Sequence, residues 1–278
     1  MAARLIAVIS IIIFTFSGVS FCNEKINITV THPWLALLAS FIGGAEVSVT
    51  PLRIWNKNGD LSMSDRGRIL KELESGSKII ALDKSDAEES GINDRNKDKF
   101  SVKYLYSPFP VSYNALYDPS VIPFVAQRVL NALSEWDVQN YSYYQRRLAE
   151  FQARLSSSVL VGQVLKDITI CDLTGSAGVL LKAAGCKVNR SEKFDEWQKG
   201  NLSGFREYLD LQRSKGSIIL IDDDTPANIT RSLSRRPDVY KWERPPLDVD
   251  YPAFLYEQYI SLWQKITAKP LPGRNKTR

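Results

Sequence analysis

Asp137 to Gly162 reads DVQNYSYYQRRLAEFQARLSSSVLVG. Within it Val138, Tyr141, Tyr144, Leu148, Phe151, Leu155 and Val159 recur at three- and four-residue steps, Asp137 is a candidate N-cap and Gly162 a stop, which predicts one long amphipathic helix. About 25 residues at 1.5 Å each span about 40 Å, long enough to run along two lobes. The flanking sequence supplies the lobes. Upstream, β-rich runs stand at Ile26 to Thr31, Val47 to Thr50, Lys78 to Leu82 and Val102 to Tyr106; downstream they stand at Ile168 to Asp172, Cys186 to Asn189, Ser217 to Ile221 and Val239 to Trp242. Helical spacing or polar turns separate them, and strands alternating with helices make parallel sheets. The expected fold is therefore α/β: two Rossmann-like lobes, residues 23–137 and 166–268, joined by one helix over 138–165, with a ligand cleft between the lobes.

Two more amphipathic segments complete the frame. Asp118-Pro119 reads as a helix opening, with the acid as cap and the proline in the first position, ahead of core-facing Val121, Phe124, Val125, Val129 and Leu133. Pro252 to Ala268 places Leu255, Tyr259, Leu262, Trp263 and Ile266 on one side, and the basic tail 269–278 reads as disordered. Lys84 to Lys99 (KSDAEESGINDRNKDK) mixes both charge signs and reads as a solvated loop or polar helix face.

The first 22 residues read as a signal peptide. After Arg4 the run LIAVISIIIFTF is apolar, small residues follow at Ser17, Gly18 and Ser20, and cleavage falls near Ser20 or Cys22. The apolar core is shorter than the ~20 residues of a spanning helix. Phe21 stands where lipoprotein signals carry a small residue, so lipid anchoring at Cys22 is the minority reading. The mature chain is expected outside the cytoplasm, in the periplasm or its equivalent. A bridge between Cys171 and Cys186 is not expected, because the two fall at opposite ends of neighbouring strands, beyond the ~7 Å reach of a disulfide.

Composition narrows the chemistry. In 278 residues the 36 Lys and Arg exceed the 31 Asp and Glu by 5, but the signs are interspersed, so no nucleic-acid partner is expected. A single histidine, His32, and three cysteines without a CxxC or HExxH pattern leave no dyad and no cluster, so the chain is not read as an enzyme. An Asp-dependent hydrolysis at Asp222 is the one catalytic reading left.

Three stretches, Ile28 to Thr50, Asp118-Pro119 with Asp137 to Phe151, and Ser217 to Asp222, together resemble the zinc/manganese-type (cluster A-I) solute-binding proteins of bacterial ABC transporters. Ile28 to Thr50 (ITVTHPWLALLASFIGGAEVSVT) is similar to that family's opening strand, helix, Gly-Gly turn and second strand. Asp118-Pro119 followed by Asp137, Asn140, Tyr143, Tyr144, Leu148 and Phe151 is similar to its linking-helix region, and Ser217 to Asp222 to its late strand ending in an acid. The resemblance covers about residues 26 to 267. It implies a monomeric binding protein that presents cargo to an ABC transporter permease in the membrane, with zinc or manganese held between the lobes by three histidines and a carboxylate. Here none of those histidines is present. The resemblance puts the first ligand position on Lys57, with Asn58 the alternative, the second on Asn114, the third on Thr174, and leaves an acid, Asp222 or Asp223, at the fourth.

Such a set is poor for zinc: a protonated Lys57 has no lone pair, and Asn114 and Thr174 are neutral oxygen donors. The metal candidates reduce to Asp222, Asp223 and His32. Loops at the carboxyl ends of strands are nonetheless where open α/β sheets bind ligands. Thr174-Gly175-Ser176 before a helix can offer N–H groups to an anion, Lys57 suits a carboxylate, and Asp222 an amine or hydroxyl. The expectation is a small polar or zwitterionic ligand touching His32, Lys57, Asn114, Thr174 and Asp222. The bland readings stand beside it: His32 as a hydrogen-bonded structural residue, Thr174 as a cap, Lys57 as a surface lysine, Asp224 or Thr225 as caps of a helix opened by Pro226. So does a second function class, an interaction protein that kept the lobes and lost the cargo site.

Overall fold

The computed structural model describes residues 25–56, 61–64, 68–105, 116–233 and 236–268. In chain order these form β1 (Ile26–Val30), α1 (Pro33–Gly43), β2 (Val47–Pro51), β3 (Arg53–Trp55), β4 (Leu61–Met63), α2 (Arg68–Glu72), β5 (Lys78–Ala81), α3 (Lys84–Glu89), β6 (Ser101–Tyr104), α4 (Ile122–Trp136) and α5 (Tyr141–Gly162). The second half continues with β7 (Thr169–Asp172), α6 (Gly178–Ala183), β8 (Lys187–Asn189), α7 (Phe194–Gln198), α8 (Phe205–Ser214), β9 (Ile218–Ile221), α9 (Ala227–Ser232), β10 (Val239–Lys241) and α10 (Tyr251–Ala268).

The sheets repeat one design. The first has the order β2-β1-β5-β6 and the second β10-β9-β7-β8, and every pairing in both is parallel. Numbered within each lobe, both run second, first, third, fourth. The chain therefore reverses direction across the sheet between β1 and β5, and again between β7 and β9, and a crevice opens outside the carboxyl ends at such a switch point. His32 follows β1, Thr174 follows β7 and Asp222 follows β9.

Between the lobes runs α5, flanked by 3-10 turns at Val138–Asn140 and Gln163–Leu165. Its inner face buries Tyr144, Leu148, Phe151 and Leu155, each removing roughly 1.5 to 3 kcal/mol of side-chain surface from water. That face packs on α1, α4 and α10. Helix α1 is buried on nearly every side, and one apolar cluster runs without a break from Ile28 and Trp34 through α5 to Ile170, Leu220 and Tyr259. The Gly43-Gly44 pair that ends α1 is sterically required. A Cβ on Gly43 would lie 2.5 Å from Val47, and one on Gly44, whose φ is +51°, would lie 2.2 Å from the Tyr143 hydroxyl.

Several local expectations are corrected. Asp137 caps no backbone N–H; its carboxylate accepts from the Asn140 amide at 2.8 Å and the Tyr144 hydroxyl at 2.6 Å, and α5 begins at Tyr141. Asp118-Pro119 does not open a helix. Asp118 accepts from the Ser120 N–H and hydroxyl in a turn, and α4 starts at Ile122 with Pro123 in its first turn. Val138, Tyr141, Phe124 and Trp263 are exposed, because the helical stripes are narrower than the periodicity alone indicates. The hairpin β3–β4 was not read in the sequence; it is too short and too polar to signal itself.

The Lys84–Lys99 stretch also differs from expectation. It contains a short helix, α3, capped by Asp83 and carrying a deeply buried carboxylate, Asp86. Asp86 accepts from the Thr31 hydroxyl, the Leu82 N–H and the Arg53 guanidinium, and so anchors the end of β1 just ahead of His32. Cys171 and Cys186 are buried free thiols at opposite ends of the β7–β8 pair, where Cys171 is in register with Asn189.

Candidate functional site

The carboxyl ends of the two sheets face each other across a packed aromatic seam. Trp34 stacks edge to face on Trp55, Tyr117 and Tyr251 with ring centroids 6.1, 5.0 and 4.8 Å apart, and His32 sits 6.4 Å from the Trp55 ring. His32 is the N-cap of α1, its Nδ1 accepting from the Trp34 N–H at 3.1 Å. Burial, and then the positive charges of Arg53 and Arg244, lower its pKa to about 3. The ring is therefore neutral and lies among cations.

On the other side of the seam, the loop after β7 is held by the chain's own acids. The Thr174 N–H and hydroxyl both donate to Asp172 Oδ1, at 2.9 and 2.6 Å. The Gly175 N–H donates to Asp222 Oδ2 at 2.9 Å, and the Gly178 N–H donates to Thr174 Oγ1 at 3.3 Å. Arg190 completes the knot with two bonds to Asp172 Oδ2, at 3.1 and 2.7 Å, and one to the Thr174 carbonyl at 2.6 Å. Gly178 has to be glycine, since a Cβ there would stand 2.1 Å from Asp172 Oδ2. Of the N–H groups that the sequence offered to an anion, those of Thr174 and Gly175 are thus taken by Asp172 and Asp222.

The acidic run after β9 is divided in the same way. Asp222 Oδ1 lies 2.9 Å from the Thr225 hydroxyl and accepts from the Asp224 N–H at 3.1 Å. Burial, reinforced by the charges of Asp224 and Asp172 and opposed by the Thr225 and Gly175 hydrogen bonds, raises the Asp222 pKa to about 6. Asp223 pairs with Lys241 at 2.6 Å, and Asp224 pairs with Arg244 at 2.6 Å. Thr225 binds Asp222 rather than capping α9, whose cap position is Pro226 and carries no side-chain bond.

Arg244 is the group that the sequence reading missed. Its side chain is 10% exposed, its guanidinium donates to Asp224, and it lines the same small cavity as Tyr117. It also lies over the Trp55 ring, 5.2 Å from the centroid. Tyr117 is buried and lines that cavity together with Ser176. One guanidinium therefore touches the second lobe through Asp224 and the first through Trp55. Beside it the small cavity, of about 10 Å³, lies between Tyr117 of the first lobe and Ser176, Asp222 and Trp242 of the second. Above it a groove of about 380 Å³ remains, lined by Ile54, Trp55 and Asn56 on one side and by Asp223, Arg244 and Pro245 to Leu247 on the other. Nothing in the local sequence ERPPLD marks Arg244 as a bridge; the partners come from three distant segments.

Of the sequence candidates, the structure gathers His32, Thr174, Asp222 and Asp223 around this seam, while Lys57, Asn58 and Asn114 lie outside the described residues. The gathered set does not fit zinc or manganese. His32 spends Nδ1 on its own helix, Thr174 and Asp222 are tied into the loop knot, and a guanidinium rather than a lone pair faces the acids. Among the described residues there is no group of three or more His, Cys, Asp or Glu able to hold a metal ion.

Two like-ordered parallel sheets, a single helical link and a crevice at the strand ends make a two-lobed α/β fold. Particular structures share it. A crystal structure of ZnuA is 15% identical and matches 87% of this chain and 99% of its own, with a TM-score of 0.66. Streptococcus pneumoniae AdcAII is 14% identical over 88% of this chain and 99% of its own, at 0.64, and the binding protein FpvC from Pseudomonas aeruginosa, solved in complex with Mn2+, is 14% identical over 88% and 99%, at 0.62. No family model and no curated protein sequence matches the chain.

Proposed function

We propose that the chain is a divergent member of the zinc/manganese-type solute-binding family, exported from the cytoplasm, whose cargo is a small polar ligand in place of the metal ion. The observation that carries this reading is the groove of about 380 Å³, walled by both lobes at the carboxyl ends of their strands and offering an indole face, an amide, a carboxylate and a guanidinium. The chain acts as a monomer, performs no catalysis, and presents its ligand to an ABC permease in the membrane; among the described residues no helix is long and apolar enough to cross one.

The second reading, an interaction protein without cargo, draws on the small cavity of about 10 Å³ beside Arg244. Thermal unfolding against a panel of amino acids, small sugar acids, zinc and manganese separates the two. A bound ligand at a hundred times its Kd adds about 2.7 kcal/mol, a rise of several degrees in Tm. A rise with a zwitterion or sugar acid and none with the metals supports the ligand reading. A one-to-one rise with zinc restores metal cargo, and a flat panel at millimolar concentration leaves the interaction protein.

A further inference from the structure

We propose that the Arg244 guanidinium is the resident cation of the interlobe site, a specificity-determining group that joins the lobes without cargo and keeps divalent metal out. The inference rests on geometry independent of the ligand reading above. A cation placed between two lobes of this fold has to satisfy acids on one side and a polar or aromatic wall on the other. Arg244 does both: it donates to Asp224 at 2.6 Å on the second lobe, and on the first it covers the Trp55 ring at 5.2 Å and shares a small cavity with Tyr117.

The site is satisfied in three further respects. Guanidinium is planar and always charged, so it suits a carboxylate on its edge and an indole on its face at the same time. The acids that would otherwise attract a metal are consumed, Asp224 by Arg244, Asp223 by Lys241 and Asp222 by the Gly175 N–H and the Thr225 hydroxyl. The cavity that Arg244 shares with Tyr117 and Asp222, about 10 Å³, is that of one small probe sphere and admits no hydrated ion. A second positive charge brought into contact with Arg244 is repelled in a partly desolvated setting, where charges interact more strongly than in water. The closed form is thus held by a covalently attached cation, present at unit occupancy whatever the medium contains. A ligand in the groove docks on lobes that are already closed.

The test is hydrogen exchange followed by mass spectrometry on the full mature chain, comparing wild type with Arg244→Ala, Arg244→Lys and Trp55→Leu. Arg244→Ala is expected to raise exchange of the segments around Trp55 and Gly175 at least tenfold, equivalent to about 1.4 kcal/mol, while β1 and β9 keep wild-type protection. Arg244→Lys keeps charge without the fork and falls between. Trp55→Leu, which leaves the Arg244 to Asp224 pair in place, opens the same segments less. Millimolar zinc is expected to leave the wild-type pattern unchanged. Wild-type protection of the seam in both Arg244→Ala and Trp55→Leu overturns the clamp; so does zinc protecting the seam in the wild type, because metal is then accommodated beside Arg244. If Arg244→Ala loses protection in β1 and β9 as well, Trp55→Leu and Arg244→Lys decide. None of these outcomes depends on whether any ligand in the panel binds.

Discussion

Replacing Asp86 with alanine tests how the site is held from below. The Asp86 side chain is 2% exposed and that of Arg53 7%, and the two are joined directly. Asp86 also takes the Thr31 hydroxyl and, at 2.8 Å, the Leu82 N–H. Breaking a buried ion pair from one side costs about 3 to 5 kcal/mol, chiefly because the surviving charge is left without compensation. Here Arg53 retains Glu89 at 2.8 Å, but Glu89 is half exposed, and the bond from Arg53 Nε to the Thr31 carbonyl at 3.0 Å offsets little of the charge. The stranded Leu82 N–H overlaps with this loss. We expect Asp86→Ala to destabilise the chain by about 4 kcal/mol, a large share of the roughly 5 to 15 kcal/mol available to a folded protein. Urea unfolding followed by tryptophan fluorescence, with a common slope for all variants, measures it. The control is Arg53→Met with Asp86→Leu, an apolar pair of similar volume, expected to recover all but about 1 to 2 kcal/mol because both charges leave together. A loss below about 1.5 kcal/mol for Asp86→Ala, or a double variant as weak as the single one, refutes the argument that a buried, mutually dependent pair anchors the end of β1.

His32 is expected to stay neutral down to acid pH. With its native pKa lowered to about 3 and an ordinary value near 6.5 when unfolded, the unfolded chain gains the proton first. Its contribution to stability is full above pH 6.5 and is lost as pH falls towards 3; an NMR titration midpoint above 5 for the imidazole contradicts this. Asp222 has the opposite sign: its native pKa of about 6 lies above the unfolded value, so stability from this group is full below about pH 4 and declines as pH rises through 6. Asp222→Asn is expected to remove up to about 2 to 3 kcal/mol of that decline between pH 4 and 7, and equal pH slopes in the two proteins count against it. Gly44→Ala meets both a left-handed backbone and the Tyr143 hydroxyl 2.2 Å away, whereas Gly76→Ala, at φ +86°, meets nothing within 4 Å. The backbone term alone is about 1 to 2 kcal/mol, so Gly44→Ala is expected to cost clearly more than Gly76→Ala in thermal unfolding; equal losses mean the Tyr143 contact carries no weight.

Local pattern by itself determined the strands of both parallel sheets, the long helices and their order. Short apolar runs such as Ile218–Ile221 have no polar face to mislead, and the three- and four-residue spacing of Tyr144, Leu148, Phe151 and Leu155 admits only a helix. Alternation of the two determines the parallel, two-lobed class, and the absence of a second histidine limits the chemistry. Helix openings were less legible. Asp118 and Asp137 have the chemistry of a cap, but each found a better partner within a few residues, in Ser120 and in Tyr144.

Only the tertiary structure decided what each polar group does. Asp86 lies in a stretch whose composition is that of a solvated loop, yet it is buried because Arg53, 33 positions earlier, requires a counter-charge at the end of β1. The N–H groups of Thr174 and Gly175 are complete as a ligand cradle in one dimension and filled by Asp172 and Asp222 in three. Arg244 draws its role from Trp55, Tyr117 and Asp224, which no periodicity relates to it. Backbone conformation is chosen by neighbours a few residues away and can be read along the chain, whereas compensation of a buried charge is a demand placed on whatever the fold brings within about 3 Å.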